Sequence, residues 1–292
     1  PQRYPLHYDY AHDGLPDYTS FYTLNDGAMN NTIDVLLEAY ELLGNEEYLA
    51  AARRGADFFM MAQGPEGHAA WTDQFDMNLK PATGRTHEPA SYQVRYTMST
   101  IHQLEKMFLY TGDRRYLRPI PLALEWMESS ILNIDDKGAP VFAKWYDPKT
   151  NYPILRERIP EVTTEGYMKY RYTVDTTASY VEFTGKLTAR ERYEKIRDIE
   201  PGKEREMYLE LFGRERKTSR VNEQEILRLI KAMNEQGVWI ETIRVQDVNK
   251  TMVPDFDAVF EKGPYFYAAK EIQGISTRTY MENMRTFLEY LK

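Results

Sequence analysis

Cysteine is absent from the 292 residues. No disulfide framework and no cysteine-held zinc site is therefore available. No apolar run approaches membrane-spanning length, and no signal peptide stands at Pro1. The five histidines, His7, His12, His68, His87 and His102, show no HxxxH or HxH spacing, which disfavours a zinc site. GxGxxG, the phosphate-binding GxxxxGK loop and GxSxG are missing too, so nucleotide binding and a serine-hydrolase elbow are disfavoured. Positive charge is in deficit, with a net charge of -8. That argues against non-specific nucleic-acid binding. It leaves room for an acidic ligand in a local basic cleft. The chain opens on Pro-Gln-Arg-Tyr-Pro without Met, and we expect a mature or trimmed form.

Charged residues make up 28% of the chain and its apolar content is ordinary, the balance of a globular protein. Tyrosine is abundant, at 23 residues. Such rings serve packing with a polar handle, or surfaces on which sugars stack.

A helical unit recurs. Residues 40–59 and 108–127 share a pattern, with a fainter copy at 181–196. In each, a helix stops at Gly44, Gly112 or Gly185 and a second helix starts behind a polar residue. Gly suits the left-handed position after a helix. Asn45 and Asp113 are candidate N-caps, and Thr188 with Glu191 fits a capping box. A glycine-bearing turn and a short apolar segment follow, at Ala69-Ala70-Trp71, Ala139-Pro140-Val141-Phe142 and Val238-Trp239-Ile240. Stacked helical hairpins of this kind bury one face against their neighbours. The pattern predicts an all-α fold, an α/α toroid with short β segments in its connecting loops; a curved superhelix of helix pairs is the alternative. Helices are expected near 30–43, 46–62, 91–110, 121–132, 170–184, 189–198, 222–235 and 276–291. We expect one domain over 1–292, with a charged stretch at 190–220 as the place to look for mobility.

Four segments carry chemistry. In Asn25-Asp26-Gly27, Asp26 stands where a turn or a helix cap is expected. It also offers a carboxylate to a hard cation, although calcium takes six to eight oxygens and the rest must come from elsewhere. Trp71 to Asp76 alternates if extended, with Trp71, Asp73 and Phe75 facing one way and Thr72, Gln74 and Asp76 the other. Gln74 can then hydrogen-bond a sugar; the alternative is a core-lining strand. Arg85 lies in a loop that ends at Pro89, where its guanidinium pairs with Glu88 or grips a ligand carboxylate. Lys144 and Arg158 bracket Asp147-Pro148-Lys149-Thr150-Asn151, a tight turn. Folding back there brings two cations near each other, an arrangement that suits an anion between them; two unrelated surface cations are the alternative.

Taken together these segments resemble the pectate lyases of polysaccharide lyase family 10. Pro1-Gln2-Arg3-Tyr4-Pro5 is similar to the tail of the family's GGWPQ-type motif, and Phe21 to Met29 to its FNDGAM-type motif. Trp71, Gln74, Asp76, Pro81, Arg85, Glu88 and Pro89 match WxxQxD…P…RxxEP. Residues 143–146, 150–153 and Arg158 match RFYE…TNxPxFxxR. The match covers about residues 1–170. It implies an α/α toroid and calcium-assisted β-elimination of polygalacturonate by a secreted or periplasmic monomer. By position, Asp26 helps bind Ca2+, Arg85 and Lys144 grip uronate carboxylates, Trp71 and Gln74 belong to the substrate-binding set, and Arg158 removes the C5 proton. An arginine base needs a desolvated site crowded with other cations. Two departures stand out. The family's upstream helical region, with a second calcium-binding Asp, is not in this chain. His87 replaces a usual aromatic, which bears on substrate preference. The rival readings are a toroid hydrolase of unsaturated uronides, using paired carboxylates, and a non-catalytic uronan-binding module.

Overall fold

The computed structural model describes residues 21–84, 88–162, 168–175, 183–184, 189–213, 221–248, 267–274 and 276–290. Among these residues the chain is mostly helical, with eight α-helices and short strand pairs, and no sheet exceeds three strands. No described helix is long and apolar enough to cross a membrane. The chain divides into two compact units, Pro1–Gly213 and Arg214–Lys292, at a point where the sequence carries no recognisable linker.

In the first unit, β1 (Tyr22–Thr23) leads through a 3-10 turn into α1 (Ala28–Leu43), which pairs with α2 (Glu46–Ala62) as a helical hairpin. Gly44, at φ 65, ends α1 and donates its N–H to the Tyr40 carbonyl. Asn45 then caps α2 by accepting from the Glu47 N–H at 2.9 Å. β2 (Gln74–Phe75) pairs antiparallel with β1. The arrangement recurs at α3 (Val94–Thr111), where Gly112, at φ 72, accepts the same duty. Asp113 caps the following 3-10 turn, and α4 (Ile120–Ser129) comes next. The helix–glycine–cap–helix unit read from the sequence is thus present in both of its stronger copies. The junction of the fainter copy, Gly185 and Thr188, lies outside the described residues.

α3 is the hub. Ile101, Leu104, Met107 and Phe108 are fully buried, and α2, α4, α5 (Ala189–Arg197) and α6 (Glu204–Phe212) all pack on it. Truncating such a side chain to Ala typically costs about 2–5 kcal/mol. The charged stretch near 190–220 therefore contains two docked helices, with Tyr193 and Ile196 in the core; residues 214–220 lie outside the described set. β3 (Asn133–Ile134), β4 (Pro140–Phe142) and β7 (Phe183–Thr184) form a three-stranded sheet in the order β3-β4-β7.

One expectation is corrected. The predicted helix at 170–184 is, where described, strand β6 (Met168–Val174), paired antiparallel with β5 (Ile154–Val162). Tyr170, Tyr172, Thr173 and Val174 are β-formers. The rungs Arg158↔Tyr170 and Arg156↔Tyr172 give them a partner that helical spacing cannot reveal.

The second unit holds α7 (Glu223–Lys231), the hairpin β8 (Glu241–Val248) and β9 (Tyr267–Gly274), and α8 (Thr277–Tyr290). It reuses a device of the first. After α4, the Asp135 carboxylate accepts from Lys137 and Ala139 N–H, with Gly138 at φ 78. After α7, the Asn234 side chain accepts from Gln236 and Val238 N–H, with Gly237 at φ 73. Trp239 then donates its indole N–H back to the Leu229 carbonyl at 2.8 Å. Trp71 does the same to the Phe59 carbonyl behind α2.

Candidate functional site

Backbone hydrogen bonds lay the separated motifs side by side. Leu24 N–H donates to the Asp73 carbonyl at 2.8 Å, and Gln93 N–H to the Trp71 carbonyl at 3.1 Å. Tyr92 and Tyr146 exchange both backbone bonds at 2.9 Å, and Ile154 N–H reaches the Trp145 carbonyl at 2.9 Å. Residues 22–25, 71–75, 91–93, 145–146 and the start of β5 thus converge, although they are scattered over some 130 positions of sequence.

The turn expected between Lys144 and Arg158 is present. The Asp147 carboxylate accepts from the Lys149 and Thr150 N–H groups, and Asn151 takes φ 59. Asn151 is held on both sides. Its carbonyl oxygen accepts from the Trp126 indole at 2.8 Å, and its amide donates to Ser130 Oγ at 3.2 Å.

β5 then alternates as a strand must. Ile154, Arg156 and Arg158 share a face, opposed on β6 by Val174, Tyr172 and Tyr170. The other face carries Glu157 and Arg171, paired in solvent at 3.3 Å. The first face meets Trp145, whose indole is buried. Tyr172 packs edge-on to it, with centroids 6.3 Å apart. The Lys144 ammonium lies 4.5 Å from the Trp145 ring centroid and the Arg156 guanidinium 5.0 Å from it. So the turn gathers cations about one indole, Lys144 with Arg156, while Arg158 follows on the same strand face.

Acidic and neutral polar groups lie within electrostatic reach of this strip. Tyr96 donates its hydroxyl to the Asn25 side-chain oxygen at 2.7 Å, and the Asn25 amide donates to Glu88 Oε1 at 3.3 Å. Burial, and then the neighbouring Asp73 carboxylate, push the Tyr96 hydroxyl up to about 12. Asp73 is itself buried. Burial raises its carboxyl, against hydrogen bonds from Gln93 and Thr72 that favour the charged form. Burial likewise raises the Tyr172 hydroxyl, and the Glu88 and Asp73 carboxylates add to that shift. These two acids therefore lie within electrostatic reach of the β5–β6 face.

The residues singled out from the sequence fare differently. Lys144 is exposed and Arg158 half-buried, both on this strip. Gln74 is buried, and its side-chain oxygen has no hydrogen-bond partner among the described residues. Trp71 is at 0% exposure with its N–H spent on Phe59. It has no face to offer a sugar and serves as a core anchor, which corrects its placement in the substrate-binding set. The whole run Trp71 to Phe75 is buried, so it is core-lining on both sides. Arg85 lies outside the described residues; its flanks Gly84 and Glu88 are joined by a backbone hydrogen bond of 3.1 Å. Asp26 is exposed, in the left-handed region at φ 53, at the 3-10 turn before α1. Among the described residues no three acidic or histidine side chains gather as a metal-holding group. One carboxylate falls far short of the oxygens calcium takes, so Asp26 would need further oxygens from elsewhere, a ligand's carboxylates included.

Arg156, Tyr170 and Tyr172 escaped the sequence reading, as did the grouping of Asp73, Glu88 and Tyr96. The alternation Ile154, Arg156, Arg158 was the available signal; it has meaning only once β6 is known to be its partner. In comparison with known proteins, the chain matches no protein-family model and no curated sequence.

Proposed function

We propose that the chain is a pectate lyase-like enzyme that cleaves polygalacturonate by β-elimination on an α/α-toroid scaffold. The observation that carries the reading is the cationic, tyrosine-lined face of β5–β6 against Trp145 and Lys144. A polyuronate brings one carboxylate per sugar, and elimination adds negative charge at the reacting carbon, so fixed cations favour both binding and the transition state. Lys144 holds the carboxylate of the reacting uronate. Arg158 takes the proton from C5, alpha to that carboxylate. The C5–H electron pair becomes the C4–C5 double bond, the C4–O bond breaks, and the departing glycosidic oxygen takes up a proton. Repetition of the helical hairpin about α3 supports the toroid.

A second reading has an observation of its own. Asp73, a buried carboxyl held toward its protonated form, stands electrostatically coupled to Glu88. A pair of unlike carboxyls suits a glycoside hydrolase.

One assay separates them. The chain is incubated with polygalacturonate in calcium at alkaline pH, and both the ultraviolet absorbance of unsaturated uronate and the reducing ends are followed. A lyase gives both signals, and Arg158→Lys and Lys144→Ala lose them. The hydrolase of unsaturated uronides gives no new absorbance and instead erases that of a supplied unsaturated oligouronide. Neither signal, with oligogalacturonate still bound, leaves a binding module.

A further inference from the structure

Among the described residues, Arg156 is a cation held in place by rings and by no acid. Its guanidinium lies 5.0 Å from the Trp145 ring centroid and 5.1 Å from that of Tyr170. Among the described residues it makes no ion pair or hydrogen bond; these ring contacts are its partners. The side chain is half-buried. Arg192 and Arg190 of the same unit are instead spent on carboxylates, those of Glu105 and Glu128.

The geometry fixes its direction. Arg156 is opposite Tyr172 on the β ladder but stacks on Tyr170, the partner of Arg158. It therefore leans one rung along the strand, a diagonal contact within reach of a long side chain. That carries a second positive charge toward the Arg158 rung. Two rings limit how the guanidinium plane can turn, while its edge keeps five N–H donors in a fork. Stacking on an aromatic face compensates part of the desolvation of the cation but satisfies none of its donors. A planar anion with two coplanar oxygens fits what remains.

We propose that Arg156 is a specificity-determining residue that takes an ionised substrate carboxylate on its donor edge and thereby selects free uronate over its methyl ester. The proposal rests on the uronan reading above. An ester offers a single carbonyl acceptor and no charge, so it leaves the fork half-used and the cation uncompensated.

The alternative for Arg156 is a brace that pins the hairpin to Trp145. The test compares trigalacturonate and its trimethyl ester by titration calorimetry on the full chain, in the parent, Arg156→Gln and Arg156→Lys. Melting temperature serves as the folding check. The Gln variant should bind trigalacturonate about ten-fold or more weakly, the size of a charge-assisted contact, with ester binding little changed. The Lys variant, which keeps the charge but loses the fork, should fall between parent and Gln. Equal losses on both compounds mark a brace and overturn the proposal, as does unchanged trigalacturonate binding in the Gln variant. A parent that binds neither compound removes the uronan reading itself, and the role of Arg156 with it; a parent that binds the acid keeps that reading whatever Arg156 does.

Discussion

Asn151 joins two parts of the first unit through one amide, from a backbone conformation few residues accept. Asn151→Ala removes the acceptor of the buried Trp126 indole and keeps the strain of φ 59. We expect a loss of about 2–4 kcal/mol, from the orphaned donor and the unfavourable backbone. Asn151→Gly should lose less, because Gly accepts that φ. Urea unfolding of the two variants measures the difference, and equal losses would assign the whole effect to the side chain. Asp26 poses the opposite question, since it is exposed and, among the described residues, joins no other acid in a metal-holding group. Calcium alone should therefore bind weakly, and more tightly with trigalacturonate supplying oxygens. Asp26→Ala should abolish that enhancement in a calcium titration with and without the sugar. Tight sugar-independent binding untouched by the substitution would detach Asp26 from the metal.

The element that carries the most is α3, and its polar side is as tightly engaged as its apolar one. Glu105 is fully buried and bonded to Arg192 of α5 at 2.6 Å. Lys106 meets Asp34 of α1 at 2.6 Å. His102 packs edge-on to Phe212 of α6. Burial lifts the Glu105 carboxyl to about 7, against the pull of Arg192. Burial lowers the His102 imidazole to about 4, helped by Arg192 and Lys106. The signs oppose. Glu105, raised above its unfolded 4.5, contributes stability below that pH and loses it as pH rises through 7. His102, lowered from 6.5, contributes above that pH and loses its share as pH falls through 4. Glu105 spans roughly 3 kcal/mol, whereas His102 is exposed and solvent screening leaves it a smaller share, so the parent should lose stability as pH rises between them. Glu105→Gln should show stability rising with pH from 4 to 6.5, and His102→Leu stability falling from 4.5 to 7. Denaturant midpoints across that window test both, and two flat profiles would refute the assignment. Breaking the pair outright differs. Arg192→Leu strands a buried carboxylate, at a cost of about 3–5 kcal/mol, and should loosen α5 from α3 in hydrogen exchange.

At the scale of the whole molecule, the described site residues all belong to the unit Pro1–Gly213. A chain ending at Gly213 should therefore fold and bind trigalacturonate as the full chain does. Loss of binding with a cooperative unfolding transition intact would show that residues 214–292 contribute to the site. What local sequence fixes is visible in the repeat. A glycine at φ 65 or 72 and an Asn or Asp cap specify the helical hairpins within a few residues, so α1 to α4 were legible from the chain alone. The turn at Asp147 to Asn151 was legible for the same reason, since its hydrogen bonds are local. Strand β6 was not, because a strand depends on its partner, and Tyr170 and Tyr172 gain a face only when β5 supplies the register. Nor was the burial of Trp71, which turns on the carbonyl of Phe59. Local chemistry thus determined helices, caps and turns. Only the tertiary structure decided which cations share the Trp145 indole and which acids lie within electrostatic reach of them, because those contacts join residues far apart in the chain.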